Sequence, residues 1–362
     1  VLTGRIVSIK SVGQGGFRLK VDVLKTERST LPYNLNRVYL VTKSLPYGLT
    51  PGDGLYGKVK LRALSGAIRP GSYDFSFHNY FKRIGAQGFY LGKPKKISVC
   101  QSNTMLGKII QKIENLRMQM TEKVSKAVGG EGGRVSAALI TGQRGGISNN
   151  TNEALRIAGL AHILSISGLH MALLSGMVFI IVRSFFAFFP VFSSYYSVKK
   201  FAAITALIVT AFYLILSGAN IAAQRSFLMV ACMLIAILCN RSAVTMRNFA
   251  IAGLVTVAIS PHEILEPSFQ MSFSATVALI AAFSWWSEGY FFYKGNTAPS
   301  YVGGKALHFV FLSVFSTCIS SLVAGSASGI YAAYHFSNVA LLGVVSNALA
   351  LPIVSILIMP FG

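Results

Sequence analysis

The chain has 362 residues, of which 53% are hydrophobic and only 12% charged, with a mean hydropathy of +0.56; this composition excludes a disordered polar chain and an ordinary soluble enzyme. The formal net charge of +22 is unevenly placed, because residues 1–98 carry 17 Lys or Arg against 4 acids while residues 160–362 carry 8 against 3. A basic, mostly soluble front therefore precedes an apolar, charge-poor back.

The first residues, VLTGRIVSIK, have no initiator methionine and no signal-peptide pattern, and the last, ILIMPFG, stop inside an apolar run, so an internal piece of a longer chain is expected. In the front, LTGRIVSIKSV, FRLKVDVLKT, RVYLVTKS, LYGKVKLRAL and GFYLGKPKKISVC each show partial apolar/polar alternation, with turns marked by Gly13, Gly15, Gly16, Pro46, Gly48, Pro51, Gly52 and Gly54. Five short strands in residues 1–100 predict a small β-barrel, with an OB-like fold as the economical choice and other small β-barrels or sandwiches as alternatives. From 103 to 128, Leu106, Ile109, Ile110, Ile113, Leu116, Met120 and Val124 keep helical spacing beside five cations. This predicts an amphipathic helix, packed on its own protein or lying on anionic lipid. The glycine-rich GGEGGRVSAALITGQRGGISNN that follows reads as a hinged connection, so residues 101–159 form a helix and a link. No phosphate-cradling Walker sequence is present in it.

From 160 to 362 seven apolar segments are expected, near 160–183, 202–217, 220–239, 249–260, 269–286, 306–324 and 338–360. The fold class is thus a small N-terminal β-barrel followed by an α-helical polytopic membrane domain. Arg183, Lys199 and Lys200 follow the first segment, Arg241 and Arg247 the third, Lys294 and Lys305 the fifth; the loops 217–220, 260–268 and 325–337 contain no Lys or Arg. Short cytoplasmic loops collect such cations, so the first segment begins outside and the barrel is expected on the outer face of a cytoplasmic membrane. Cys100, Cys232, Cys239 and Cys318 fall at no metal-ligand spacing, three of them in apolar segments, so apolar or lipid-facing thiols are expected rather than a metal site or disulfide framework. No cofactor motif is present.

Polar residues at membrane depth usually face a path or one another. GLAHILSISGLHMALLSG, residues 159–176, carries His162, Ser167 and His170, which on one continuous helix share an arc of about 140 degrees. They serve either as hydrogen-bonding glue between helices or as the lining of a polar route. Arg225, five residues after Asn220, is either an interfacial anchor or a phosphate-holding group on such a route. In the front, Lys58, Lys60, Arg62, Lys82 and Arg83 are interleaved with Tyr56, Tyr73, Phe75, Phe77, Tyr80, Phe81, Phe89 and Tyr90. That mixture supplies backbone charge and base stacking for single strands, and equally describes a solvated basic face over core aromatics.

Several stretches together resemble the ComEC-type competence proteins, bacterial inner-membrane channels for transforming single-stranded DNA. They are YDFSFHNYFKRIGAQGFYLGKP, with Asp74, Tyr80 and Gly88; ALITGQRGGISNNTNEALRIAGLAHILSISGLHMALLSG, with His162, Ser167, Gly168 and His170 on an H-x-x-x-x-S-G-x-H core; LSGANIAAQRSFLM, with Gly218, Arg225 and Met229; ILEPSFQMSF, with Pro267, Phe269, Gln270 and Phe273; and YHFSNVALLGVVSNALALP, with His335, Asn347 and Pro352. The resemblance implies a DNA path along His162, Ser167, His170, Arg225, Gln270, His335 and Asn347, and no catalytic residue in this stretch. It also implies an outer DNA receptor and a cytoplasmic helicase-like ATPase as partners, beside DNA and the bilayer. Many such proteins carry a downstream metallo-β-lactamase-like domain, and no H-x-H-x-D-H occurs here. A serine protease fits poorly without G-x-S-G, and a metalloprotease without H-E-x-x-H. The alternative from another class is a transporter of a smaller anion or lipid with the barrel as a cap.

Overall fold

The computed structural model describes residues 1–12, 16–27, 35–67, 74–98, 105–164, 166–292, 302–336 and 343–354, which divide into two compact units, Val1–Asn152 and Glu153–Gly362. In the first, β1 (Leu2–Val12), β2 (Gly16–Thr26) and β3 (Arg37–Thr42) form an antiparallel meander. β4 (Gly54–Gly57) pairs antiparallel with β1, and β5 (Val59–Arg62) pairs antiparallel with β6 (Ile84–Tyr90), which runs parallel to β3. Only Lys58 separates β4 from β5, and the alternation of exposed Tyr56, Lys58, Lys60 and Arg62 with less exposed neighbours runs through it unbroken. β4 and β5 are therefore two halves of the single strand expected in LYGKVKLRAL. One half rests on β1 and the other on β6, which closes the sheet into the OB-like barrel.

The barrel fills with the alternate residues Leu2, Ile6, Leu19, Val21, Val38, Leu40, Leu55 and Ala86. Each fully buried Leu, Ile or Val contributes about 1.5–3 kcal/mol, and the same alternation turns the intervening cations outward. A short α1 (Phe75–Phe81) enters β6; the Asp74 carboxylate caps it by accepting from the Ser76 and Phe77 amides at 2.7 and 3.2 Å. β7 (Lys95–Ile97) adds to β4.

α2 (Met105–Val128) packs on its own protein: Gln111 Nε2 donates to Pro51 O at 2.8 Å and Met118 lies against the barrel core. The expected hinge after it is largely helical, with α3 (Gly130–Thr141) folded back on α2 and α4 (Asn149–Ile157) following. Gly133 permits this, since a Cβ there would lie 2.6 Å from Ser125 O. The buried Arg117 ties α2 to α3 by donating from Nε to Thr141 O at 2.8 Å.

The second unit continues with α5 (Gly168–Ala187), α6 (Pro190–Tyr195), α7 (Val198–Leu216), α8 (Ile221–Leu238), α9 (Met246–Ile259), a 3₁₀ turn (Pro261–Leu265), α10 (Pro267–Phe292), α11 (Val302–Phe336) and α12 (Gly343–Ile353). Among the described residues four helices are long and apolar enough to cross a membrane, at Gly168–Ala187, Val198–Leu216, Ile221–Leu238 and Pro267–Trp286. α5, α7 and α8 share a core of Ile166, Met171, Ala203, Ala206, Ala223, Val230 and Leu234, where alanines let the helices approach closely.

Two sequence boundaries move. The first apolar segment begins at Gly168, not 160, because residues 160–164, 166 and 167 lie in turns and irregular backbone. The sixth runs on to Phe336 through the expected loop 325–337, where Ser326 and Ser328 bond back to Val323 O and Ala324 O within the helix. Cys232, Cys239 and Cys318 are free thiols, and Cys100 and Tyr73 lie outside the described residues, as does part of the seventh segment.

Candidate functional site: a basic barrel face and a buried polar cluster

Strand register assembles the barrel face. Lys10 opposes Arg18, which opposes Val41, which opposes Phe89, which opposes Lys60. The neighbouring row runs Ser8, Lys20, Tyr39, Gln87 and Arg62. These two rows cross five strands and contain no acid; Asp22, one step further along β2, pairs with Arg37. Burial pushes the Lys20 amine below its ordinary range, and the cations Arg37, Lys10 and Lys82 add to the shift, so positive charge is crowded here without full compensation. Phe89 is 39% exposed between Lys60 and Val41. Gly88 allows β5 to come this near, since a Cβ on it would sit 2.1 Å from Lys60 O.

Lys58, Lys60, Arg62, Lys82 and Arg83 are all exposed. Lys82 and Arg83 follow α1, where Arg83 takes a left-handed φ of 57° that closes the helix. Lys10, Arg18, Lys20 and Tyr39 belong to the face although composition did not single them out. The alternation in FRLKVDV already put Arg18 and Lys20 on one side; their alignment with Lys60 and Arg62 required the register.

In the second unit, His162 lies in a turn and its Nδ1 donates to Gly159 O at 2.9 Å. Gly159, at φ 75°, ends the run from α4, and the backbone described at 160–164, 166 and 167 is turn or irregular before α5 begins, so His162, Ser167 and His170 do not share the continuous helix the sequence pattern allowed. Ser167 caps α5, and His170 occupies the third helical position, where a capping-box glutamate usually stands. The Ser167 amide lies 3.3 Å and its hydroxyl 3.0 Å from His170 Nδ1. An amide can only donate, so that nitrogen is an acceptor and the neutral ring carries its proton on Nε2. Nε2 is buried without a hydrogen-bond partner among the described residues.

Arg225 is 2% exposed, on α8. Its Nη1 donates to Ser268 Oγ at 3.2 Å and its Nη2 to Ser268 O at 3.0 Å, while Nη1 lies 3.8 Å from Glu266 Oε2 and 4.0 Å from Glu263 Oε2. Ser268 Oγ in turn donates to Glu266 Oε2 at 3.1 Å, and the guanidinium stands over Phe269, 5.9 Å from its centroid. Glu263 and Glu266 thus supply buried counter-charge for Arg225. Glu263 and Glu266 stand between two apolar segments, and nothing in their spacing points to a residue some forty positions away.

The same turn organises two further candidates. Gln270 Nε2 donates to Ile264 O at 3.1 Å and its Oε1 accepts from His335 Nε2 at 2.8 Å, which links the turn and α10 to α11. Arg225, Gln270 and His335 therefore converge on residues 261–270. Gly168 faces Ser226 Oγ, which sets the start of α5 beside the first turns of α8. Asn347, on α12, has its Oδ1 buried without a hydrogen-bond partner among the described residues. No group of three or more metal-binding side chains occurs among the described residues.

Residues 139–362, more than half the chain, match the family model described as Competence protein. The chain belongs to the competence protein family. Of curated proteins, ComE operon protein 3 from Bacillus subtilis (strain 168) is 22% identical over 295 residues, covering 81% of this chain. The chain spans about a third of the length of that relative, 33%. No solved structure matches. The competence-family match begins at Leu139 in α3 and takes in the turns, caps and buried charges of the whole second unit, and its apolar helices are those of a membrane protein.

Proposed function

We propose that this chain is the strand-handling and membrane part of a competence channel that admits single-stranded DNA to the cytoplasm. Membership of the competence family supports a role in DNA uptake. The observation that carries the finer reading is the pair of acid-free rows across the barrel, where Lys10, Arg18, Lys20, Lys60 and Arg62 flank Tyr39 and Phe89. Cations at strand spacing meet successive phosphates while exposed rings stack bases without sequence preference. Lys58, Lys82 and Arg83 extend the charge at the rim.

In this reading residues 1–100 form an outer strand-holding barrel, 101–159 its helical connection and 160–362 the competence domain in the bacterial inner membrane. His162, Ser167, His170, Arg225, Gln270, His335 and Asn347 lie along or support the path. A receptor on the outer side delivers the strand and a helicase-like ATPase draws it from the cytoplasmic side. The chain acts by binding and passage, without catalysis of its own in this stretch.

The test is oligonucleotide anisotropy against the full chain in lipid nanodiscs across a salt series. Engagement of four phosphates gives a log–log slope of about −3, and Lys60→Ala with Arg62→Ala reduces it by about 1.4. Absence of binding at low salt, with retention of anionic phospholipid, would favour the smaller-anion or lipid transporter instead.

A further inference from the structure

We propose that α1 anchors the barrel to a bilayer surface, with Phe77, Tyr80 and Phe81 entering the headgroup boundary and Lys82 and Arg83 resting on anionic headgroups. The inference does not depend on what the channel carries. Phe77, Tyr80 and Phe81 stand three and four residues apart, so they share one face of the helix. They are 38%, 75% and 46% exposed, whereas His78, off that face, is buried. The helix thus turns its aromatic side outward, and on the order of 300 Å² of ring surface meets the surroundings. A contiguous patch of that size on a folded domain marks a site of contact, unlike apolar residues scattered singly.

The arrangement of the rings favours lipid over a nucleic-acid strand. Phe77 and Phe81 meet at 5.2 Å with their planes 74° apart, and Tyr80 meets Phe81 at 5.5 Å and 88°. In such contacts the edge of one ring covers the face of its neighbour, so the three form a wedge, not a row of open faces on which successive bases stack. Tyr80, the most exposed of them, joins an apolar ring to a polar tip, the kind of side chain that membrane–water boundaries collect.

Charge matches the same surface. Residues 75–83, FSFHNYFKR, contain no Asp or Glu, and the carboxylate of the adjoining Asp74 accepts from the Ser76 and Phe77 amides at the start of the helix. Lys82 and Arg83 are exposed at its other end, next to the rings. Cations beside an aromatic wedge suit the interface of an anionic bilayer. A bilayer is at hand, because the barrel belongs to a chain with helices apolar enough to cross a membrane. Headgroup contact uses only these two cations of the rim and leaves the rows through Lys20, Lys60 and Arg62 to the strand.

Lipid-borne quenching in the full chain reads this directly. In a background without native cysteines, Tyr80→Cys carrying an environment-sensitive fluorophore is placed in nanodiscs of phosphatidylcholine and phosphatidylglycerol, without DNA. Its emission should shift to the blue and be quenched by lipids bearing a nitroxide near the headgroup. A fluorophore at Phe77→Cys should behave alike, and one at Lys60→Cys, on the strand face, should do neither. All three positions are exposed, so the variants are expected to fold. Adding Lys82→Gln should lower the docked-to-undocked ratio about fivefold, the worth of one cation near an anionic surface. Solvent-like, unquenched emission at both Tyr80 and Phe77 would overturn the anchor. So would a blue shift that appears only on adding oligonucleotide, which gives the rings to the strand, or one that grows with protein concentration without nitroxide quenching, which gives them to a second copy. Loss of strand binding at Lys60 and Arg62 would leave these readings unchanged, so the two proposals fail separately.

Discussion

A guanidinium cannot shed its proton, so Arg225 keeps its place in an apolar bundle only with a counter-charge nearby. Glu263, Glu266 and Ser268 provide one, and this changes what its loss should do. Arg225→Ala removes the guanidinium beside two buried carboxylates and should cost about 3–5 kcal/mol, seen as reduced membrane abundance and a lower thermal midpoint. Arg225→Lys should recover part of this, since an ammonium satisfies the charge but cannot bridge both Ser268 Oγ and Ser268 O as the planar fork does. Normal abundance and midpoint in Arg225→Ala would show that the charges are not coupled. Stability should also depend on pH through Glu263. Its folded carboxyl titrates above its unfolded value, so its contribution is fully present in acid and declines as pH rises through the raised pKa. Thermal midpoints measured from about pH 5 upward should fall more in the wild type than in Glu263→Gln. At the start of α5, Ser167→Ala removes the capping hydroxyl beside His170 and should cost about 1 kcal/mol.

Between β5 and β6 the decisive residue is a glycine. Gly88→Val would drive a side chain into Lys60 O, separate Lys60 from Phe89 and cost on the order of 1–3 kcal/mol, and oligonucleotide affinity should fall with it. An unchanged midpoint and affinity would mean that the face does not need this pairing. The strands themselves were legible, because alternation in FRLKVDV and RVYLVT marks which residues point inward. The register that aligns Arg18 with Val41, Phe89 and Lys60 was not, since it is set by pairing between distant segments. α3 escaped the sequence reading because its glycines suggest a hinge, whereas Gly133 serves close packing on α2. The small residues near Ser326 and Ser328 likewise suggest a loop, yet their hydroxyls bond to carbonyls one turn back and the helix continues. Charge and apolar content located Arg225 in its helix; its partners are a tertiary fact. His162 and His170 were found by type and are separated by the turn that holds His162 and by the Ser167 cap of α5.

For the whole molecule, the distribution of cations between helices predicts an orientation in the bilayer. Arg183, Lys199 and Lys200 lie at the link from α5 to α7, whereas the link from α7 to α8 around Asn220 has no Lys or Arg. In a background without native cysteines, a cysteine at Ser194 should resist an impermeant thiol reagent in intact cells and one at Asn220 should react. The reverse pattern would move the barrel to the cytoplasmic side. The claim on which the functional account rests is that the basic barrel face handles the incoming strand, and uptake in cells tests it most directly. Labelled DNA reaching the cytoplasm should be measured beside membrane abundance for the triple variant Lys20→Glu, Lys60→Glu and Arg62→Glu, residues that pack nothing in the barrel core. The account predicts normal abundance with uptake reduced at least about tenfold, the loss of roughly 1.4 kcal/mol of strand binding. Wild-type uptake at wild-type abundance would contradict it.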